Sequence, residues 1–263
     1  MSRPANRLSG AGAALRAYLP GLGFILVCLA ILEACVRSGQ ISPAIAPLPT
    51  TVLTRFGALA ATGELFGPVL HTVGLVIAGW LGAVVVGVLA GLMMGFDRRI
   101  HALLEPLVEL IRPIPKPALL PPLMLLLGLG IKMEIAMVFI GALFPVLIAT
   151  TQAVRAIDPV QIDVGRTLRV GRLRLLYAIV IPASLSMIMS GMKVSLSLAI
   201  VLAVLSEMLT GSYGLGGTIM DLQRSFRVND MYAWVLALAL VGMLLARGFE
   251  WLEKKLVFWH GGA

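Results

Sequence analysis

The stretch TVGLVIAGWLGAVVVGVLAGLMMGF, residues 72–96, carries no charged side chain across 25 residues. About 20 apolar residues suffice for a helix to cross the hydrocarbon core of a bilayer, so the run reads as a membrane span. Within it, Gly79, Ala83, Gly87, Gly91 and Gly95 place a small residue at every fourth position. On a helix this makes one face that another helix can approach closely.

The rest of the chain agrees with a lipid environment. Of 263 residues, 59% are hydrophobic and 13% charged, with a mean hydropathy of +0.97. That is about half the charged fraction of an ordinary soluble domain. Five further apolar segments stand out, at residues 20–36, 117–131, 135–152, 184–206 and 232–246. The third of the six is short and interrupted by Pro117, Pro121 and Pro122; such a segment crosses only where neighbouring helices satisfy the freed carbonyls. Residues 50–66 form a shorter amphipathic pattern, with Val52, Leu53, Phe56, Leu59 and Ala60 on one side. They are expected on the outer membrane surface or over the bundle.

The net charge is +8, in bursts between the apolar runs. Fifteen of the 21 lysines and arginines fall in the N-terminal tail, the loops after the second and fourth segments, and the C-terminal tail, against five in the alternate loops. Lys193 lies inside the fifth segment. Because cytoplasmic loops retain positive charge, this predicts six spans with both termini in the cytoplasm, rather than a nucleic-acid surface. The expected organisation is a tail at 1–19, a six-helix membrane domain at 20–246 and a tail at 247–263. Cys28 and Cys35 share one apolar run seven residues apart, about 10.5 Å along a helix and too far for a disulfide. Glu33 next to Cys35 also argues for a retained span over a lipoprotein signal.

None of the five lysines follows a glycine, so there is no Walker A loop to hold nucleotide phosphates. His71, His101 and His260 are dispersed, which excludes a metal-ligand cluster by spacing, and no Ser, His and Asp grouping emerges. Charge near or inside the spans is limited to Glu33, Lys193 and Glu207, too few for a proton relay. The pattern is a pathway without its own motor.

The loop after the fourth segment is where a motor in another chain could dock. Asp158 and Pro159 open it; Arg166, Arg169, Arg172 and Arg174 alternate with apolar residues over 160–176; Ile181 and Pro182 close it. Asp and Pro start helices, and Ile162, Gly165, Leu168 and Arg169 recur at helical spacing before Gly171. Two readings stay open: a short helix inserted into a partner's groove, or a basic loop on anionic headgroups.

DVGRTLRVGRLRLLYAIVIP, residues 163–182, resembles the EAA loop of permease subunits of binding-protein-dependent ABC importers. Residues 104–159 and SEMLTGSYGLGGTIMDLQRSF, residues 206–226, look like the nitrate, sulfonate and taurine branch. Asp163 stands for the usual glutamate, Val164 and Gly165 for the alanines, and Arg169 for a glycine, with Gly171 two residues on.

The resemblance implies an all-α integral membrane protein of the type I importer permease fold in the bacterial inner membrane. It implies ABC ATPase subunits holding ATP and Mg, a periplasmic or lipid-anchored binding protein, and a second permease copy forming a homodimer. It implies no cofactor on this chain, no catalysis by it and no nucleic-acid partner. The substrate expected is a small anion such as nitrate, a sulfonate or taurine; a self-powered carrier or channel is the alternative. The ATPase contact is expected over Asp163, Val164, Gly165, Arg166, Thr167, Leu168, Arg169, Val170 and Gly171, with Pro182 as the rigid link. Gly211, Gly214, Gly216 and Gly217 are expected to form a re-entrant turn at the outer mouth, followed by a helix at 218–226. Lys193, with Ser195 and Ser197, either sets a positive potential in the pathway or is a structural lysine paired with a carboxylate or reaching the interface.

Overall fold

The computed structural model describes residues 9–43, 45–168 and 170–257. Helix α1 is Ser9–Arg37 and α2 Pro49–Thr62; α3 is Phe66–Phe96 and α4 Arg98–Ile111. A 3-10 turn, Lys116–Leu119, leads into α5, Leu120–Leu127, and then α6, Ile131–Arg155. After α7 (Pro159–Thr167) and α8 (Arg172–Leu175) come α9 (Ile181–Thr210), α10 (Leu215–Arg224) and α11 (Val228–Leu256). Residues 9–19 and 247–256, read as tails, are therefore helical continuations of the first and last spans.

The small-residue face of α3 seats on α6 in a strict register. A Cβ at Gly79 would lie 2.6 Å from Val138, at Gly87 3.0 Å from Val146, at Gly91 2.6 Å from Thr150 and at Gly95 2.5 Å from Val154. Both series ascend together in steps of four or eight, so α3 and α6 run parallel in contact over about four turns. Only side chains without bulk allow this, and a larger residue at any of the four would force the helices apart. Helix α9 completes the core from the other side: a Cβ on Gly141 would overlap Leu202, and one on Gly191 would overlap Ala149. Ser195 Oγ donates to the Ala142 carbonyl at 2.7 Å across the same interface.

Parallel packing of α3 and α6 has a topological consequence. Their C-terminal ends lie on one side of the membrane, so residues 97–130 must return across it. The short proline-interrupted segment expected at 117–131 does not do so by itself: α4 and the segment Lys116–Leu127 meet at a 90° bend. Helix α5 has 8 residues, about 12 Å of rise and too little to cross alone. The proline-rich stretch between Ile111 and Leu123 is the cause, since proline removes a donor and clashes with the preceding turn. Gly128 (φ +74) and Gly130 (φ +136) then turn the chain into α6. Helix α4 instead starts on Asp97, whose Oδ1 accepts from the Arg99 amide at 2.8 Å. Its Leu103, Leu107 and Leu110 are exposed. Among the described residues four other helices, those at 66–96, 131–155, 176–210 and 228–256, are long and apolar enough to cross, so with the bent pair five spans rather than the six expected meet that measure. The segment 20–36 lies within the 29-residue α1.

Helix α2 packs over the bundle, where Phe56 and Leu59 meet Leu215, Ile219, Leu222 and Trp234. Its first turn is held by α1: Glu33 accepts from the Thr50 amide at 3.1 Å and the Thr50 hydroxyl at 2.7 Å, and pairs with Arg37. A carboxylate at a helix N-terminus satisfies donors that have no intrahelical partner. Cys28 and Cys35 are both free.

Candidate coupling and gating sites

Helix α7 starts where Asp158 Oδ1 accepts the Val160 amide at 2.9 Å, an N-cap made by the residue the sequence points to. Its inner face packs: Ile162 joins Leu92, Val154 and Val180, and a Cβ on Gly165 would lie 2.5 Å from Leu175 Cδ1 and 3.0 Å from Ile179 Cδ1. Gly165 thus fits the close approach of α7 to the following segment, which gives its departure from alanine a packing reason. The outer face does not pack. Val160, Val164 and Leu168, spaced by four, are 65%, 52% and 72% exposed.

The helix ends earlier than expected. It stops at Thr167, whose Oγ1 donates back to the Asp163 carbonyl at 2.8 Å. Leu168 lies in a turn and Val170 in the loop, so Ile162 and Gly165 do not share a face with Leu168. The Arg166 side chain and all of Arg169 lie outside the described residues. Gly171 is exposed, and its carbonyl accepts the Leu175 amide at 2.9 Å. Residues Leu176–Val180 then form a π turn that delivers Pro182 to the second position of α9. The wider turn accommodates a ring that would clash with the carbonyl four residues earlier.

At the opposite end of α9, the glycine-rich segment folds back on the bundle. Gly211 closes α9 in the left-handed conformation (φ +65). A Cβ on Gly214 would collide with the Glu207 carboxylate, one on Gly216 with the Val204 carbonyl, and one on Gly217 with the Ser212 carbonyl. Glu207 is the organising group. Fully buried, it takes the Thr72 hydroxyl at 2.8 Å, the Gly216 amide at 2.8 Å and the His71 Nδ1 at 3.4 Å. Thr72 Oγ1 in turn accepts the Leu215 amide at 2.9 Å. The carboxylate therefore sits on the N-terminus of α10, which starts at Leu215, three residues before the expected position. The early start follows from this acceptor, since the first amides of a helix need one. Tyr213 stacks edge-on against His71, with centroids 5.9 Å apart. Sequence reasoning noted Glu207 only as a span-end charge and did not find Thr72; the Gly-Leu-Gly-Gly run that begins seven residues beyond Glu207 was the available signal.

The three residues grouped around Lys193 are not brought together. Lys193 Nζ pairs with Glu250 Oε1 of α11 at 2.7 Å. Ser195 is buried on the other side of α9, against α6. Ser197 donates to the Lys193 carbonyl at 3.3 Å. A helix turns about 100° per residue, so positions 193 and 195 face nearly opposite directions. The pairing with a carboxylate is the structural alternative.

Residues 83–257 match the family described as the binding-protein-dependent transport system inner membrane component. The chain is 30% identical over 243 residues to a Bacillus subtilis protein named as the aliphatic sulfonates transport permease SsuC, covering 92% of this chain and 88% of that one. It is 24% identical over 245 residues to the taurine transport system permease protein TauC of Escherichia coli, covering 91% and 89%. The fold resembles a chain of the MetNI methionine ABC transporter with a TM-score of 0.58 at 15% identity, over 72% of this chain and 98% of that one. With the parallel α3 and α6 core, the helix between the spans and the match over most of its length, this chain belongs to that family and is a multi-pass inner-membrane permease subunit of an ABC importer.

Proposed function

We propose that this chain forms half of a pathway for small anions, sulfonates first among them, and is driven by a separate ATPase that grips α7. The carrying observation is the stripe of Val160 and Val164 on α7 and Leu168 in the turn directly after it, three apolar side chains exposed at four-residue spacing between spans. An apolar stripe of that kind fits a partner's groove, read at i, i+4 and i+8. Gly165 and Ile162 fasten the other face to the start of α9. A push on α7 is therefore delivered through the π turn and Pro182 into the span, a rigid link of the kind used in alternating access.

ATP and Mg belong on the ATPase, and this chain performs no catalysis itself. A substrate-binding protein delivers cargo at the glycine-rich outer mouth, both termini lie in the cytoplasm, and a second copy of this chain supplies the other half as a homodimer. The anion reading draws on the sulfonate and taurine names of the relatives. The test is reconstitution of the purified complex in liposomes with nitrate, bicarbonate, methanesulfonate and taurine as labelled probes. Uptake of at least one of them that requires ATP, the ATPase and the binding protein supports it. Uptake by this chain alone would make it a self-powered carrier and remove the proposal.

A further inference from the structure

With Lys193 tied to Glu250, a different cation is placed to meet a substrate. Two adjoining cavities of about 460 and 510 Å³ run along the C-terminal half of α6, sharing Arg112 and Gln152 in their walls; the smaller carries Glu105 and Glu109, and only the larger is lined without a carboxylate. The larger opens between the foot of the bent third span, α6 and the N-terminal half of α9, and is lined by Lys116, Phe144 and Ser190 among others.

Lys116 is held by neutral groups. Its ammonium donates to the carbonyls of Ile111 at 3.1 Å and Arg112 at 3.4 Å, and stands 4.3 Å from the centroid of the Phe144 ring. No carboxylate pairs with it among the described residues, whereas Arg112, the other charged group lining this cavity, is engaged by Glu109 at 3.5 Å. Around it stand neutral hydrogen-bonding groups. The Gln152 side chain makes no hydrogen bond among the described residues and is exposed to the groove. Ser190 Oγ donates to the Ser186 carbonyl at 3.1 Å, leaving its lone pairs open. An ammonium fixed in position with its charge uncompensated attracts an anion more strongly than one neutralised by a carboxylate. The cavity volume is in the ordinary range for a small-molecule site.

We infer that this groove is the anion-selecting stretch of the pathway, with Lys116 as its specificity-determining cation and Gln152 as a neutral wall residue that orients the oxyanion. The ligand class is a small oxyanion, a sulfonate or a carboxylate. The inference rests on the importer reading above. The phosphate of an anionic lipid offers the same oxyanion chemistry, and the experiment separates the two.

The complex is reconstituted with its ATPase and binding protein, and uptake of labelled methanesulfonate, taurine and bicarbonate is measured, together with ATP hydrolysis and the anionic phospholipid that copurifies. For a probe that the wild-type complex accumulates, Lys116→Met lowers maximal uptake about tenfold, while assembly and ATP hydrolysis persist and Lys116→Arg restores most of the rate. Should Lys116→Met disturb assembly, the exposed Gln152 carries the test: Gln152→Glu lowers uptake by repelling the anion and Gln152→Lys does not. Wild-type uptake that survives Lys116→Met overturns the groove's role. So does an equal loss in Lys116→Met and Lys116→Arg, or a loss of bound anionic lipid with uptake intact. No uptake of any probe by the wild-type complex removes the anion-importer reading itself, and the inference falls with it.

Discussion

The two ends of α9 are built on opposite principles. At Thr210 the chain turns back into a segment organised by a buried carboxylate: Glu207 is fully buried and takes donors from Thr72 and Gly216, with glycines where any Cβ would strike the carboxylate or a carbonyl, while the buried Ser212 hydroxyl beside it has no partner among the described residues. At Ile181 the chain is reached through a π turn and a 9-residue helix whose outward apolar side chains are more than half exposed. One end is held by bonds within the chain; the other turns apolar side chains outward. Each buried polar group left without its partner costs free energy, so the Glu207 pairings hold the first end together. An apolar stripe left in water costs less per residue and recovers that cost on docking. Mutations at the first end should therefore be read as changes in stability, and at the second as changes in partnership.

The largest effect is expected at Glu207. Glu207→Ala orphans the Gly216 amide and the Thr72 hydroxyl inside the bundle, a loss on the order of 3 kcal/mol from two or more unsatisfied groups. The variant should show a strongly lowered melting temperature in detergent and heightened labelling of a cysteine at Tyr213. A melting temperature equal to wild type would break the contrast. Next in size is Gly91→Leu in the α3 face. A Cβ there already meets Thr150 at 2.6 Å, and overpacking of this kind costs about 1–3 kcal/mol or separates the helices. Reduced yield of folded protein is the expected outcome, and normal yield with a normal melting temperature would deny the register.

At the other end, Leu168→Asp should leave the melting temperature of the isolated chain unchanged. It should weaken ATPase association by about 1.5–3 kcal/mol and abolish coupled uptake. Retained association and uptake would falsify the docking role of the stripe. The smallest effect is expected from Lys193→Met, because the pair with Glu250 is half exposed, with side chains 45% and 37% accessible. A slight lowering of the melting temperature with uptake preserved is predicted. Lost anion uptake in a stable, assembled complex would return Lys193 to the pathway.

Periodicity and charge carried much of this. The spacing of Gly79, Ala83, Gly87, Gly91 and Gly95 announced a close helix contact, and the contact is there, because a small-residue face is a local property readable without a partner. Asp158 as the start of α7 was equally legible, since capping depends on two adjacent residues. For Lys193 the sequence left a pathway role with Ser195 and Ser197 and a carboxylate pair both open; the pair with Glu250 is the one present, and Ser195 faces the other side because a helix sends alternate residues to opposite sides. The end of α7 at Thr167 escaped because the back-bond of Thr167 to Asp163 and the packing of Gly165 on Leu175 depend on how the next segment returns.

What the sequence by itself determined is the membrane setting, the helical class, the stripe on the second long span and the family resemblance carried by residues 104–226. These follow from transfer free energy and from one-dimensional spacing, which need no knowledge of neighbours. Only the tertiary structure decided that the third span is bent by 90°, that Glu207 joins Thr72 to the head of α10, that Lys193 is neutralised by Glu250, and that Lys116 faces a cavity whose own lining holds no carboxylate. Each of those depends on which residues distant in the chain come to lie within a few ångströms of one another, and pairing at that range is set by the packing of parallel α3 and α6 against α9.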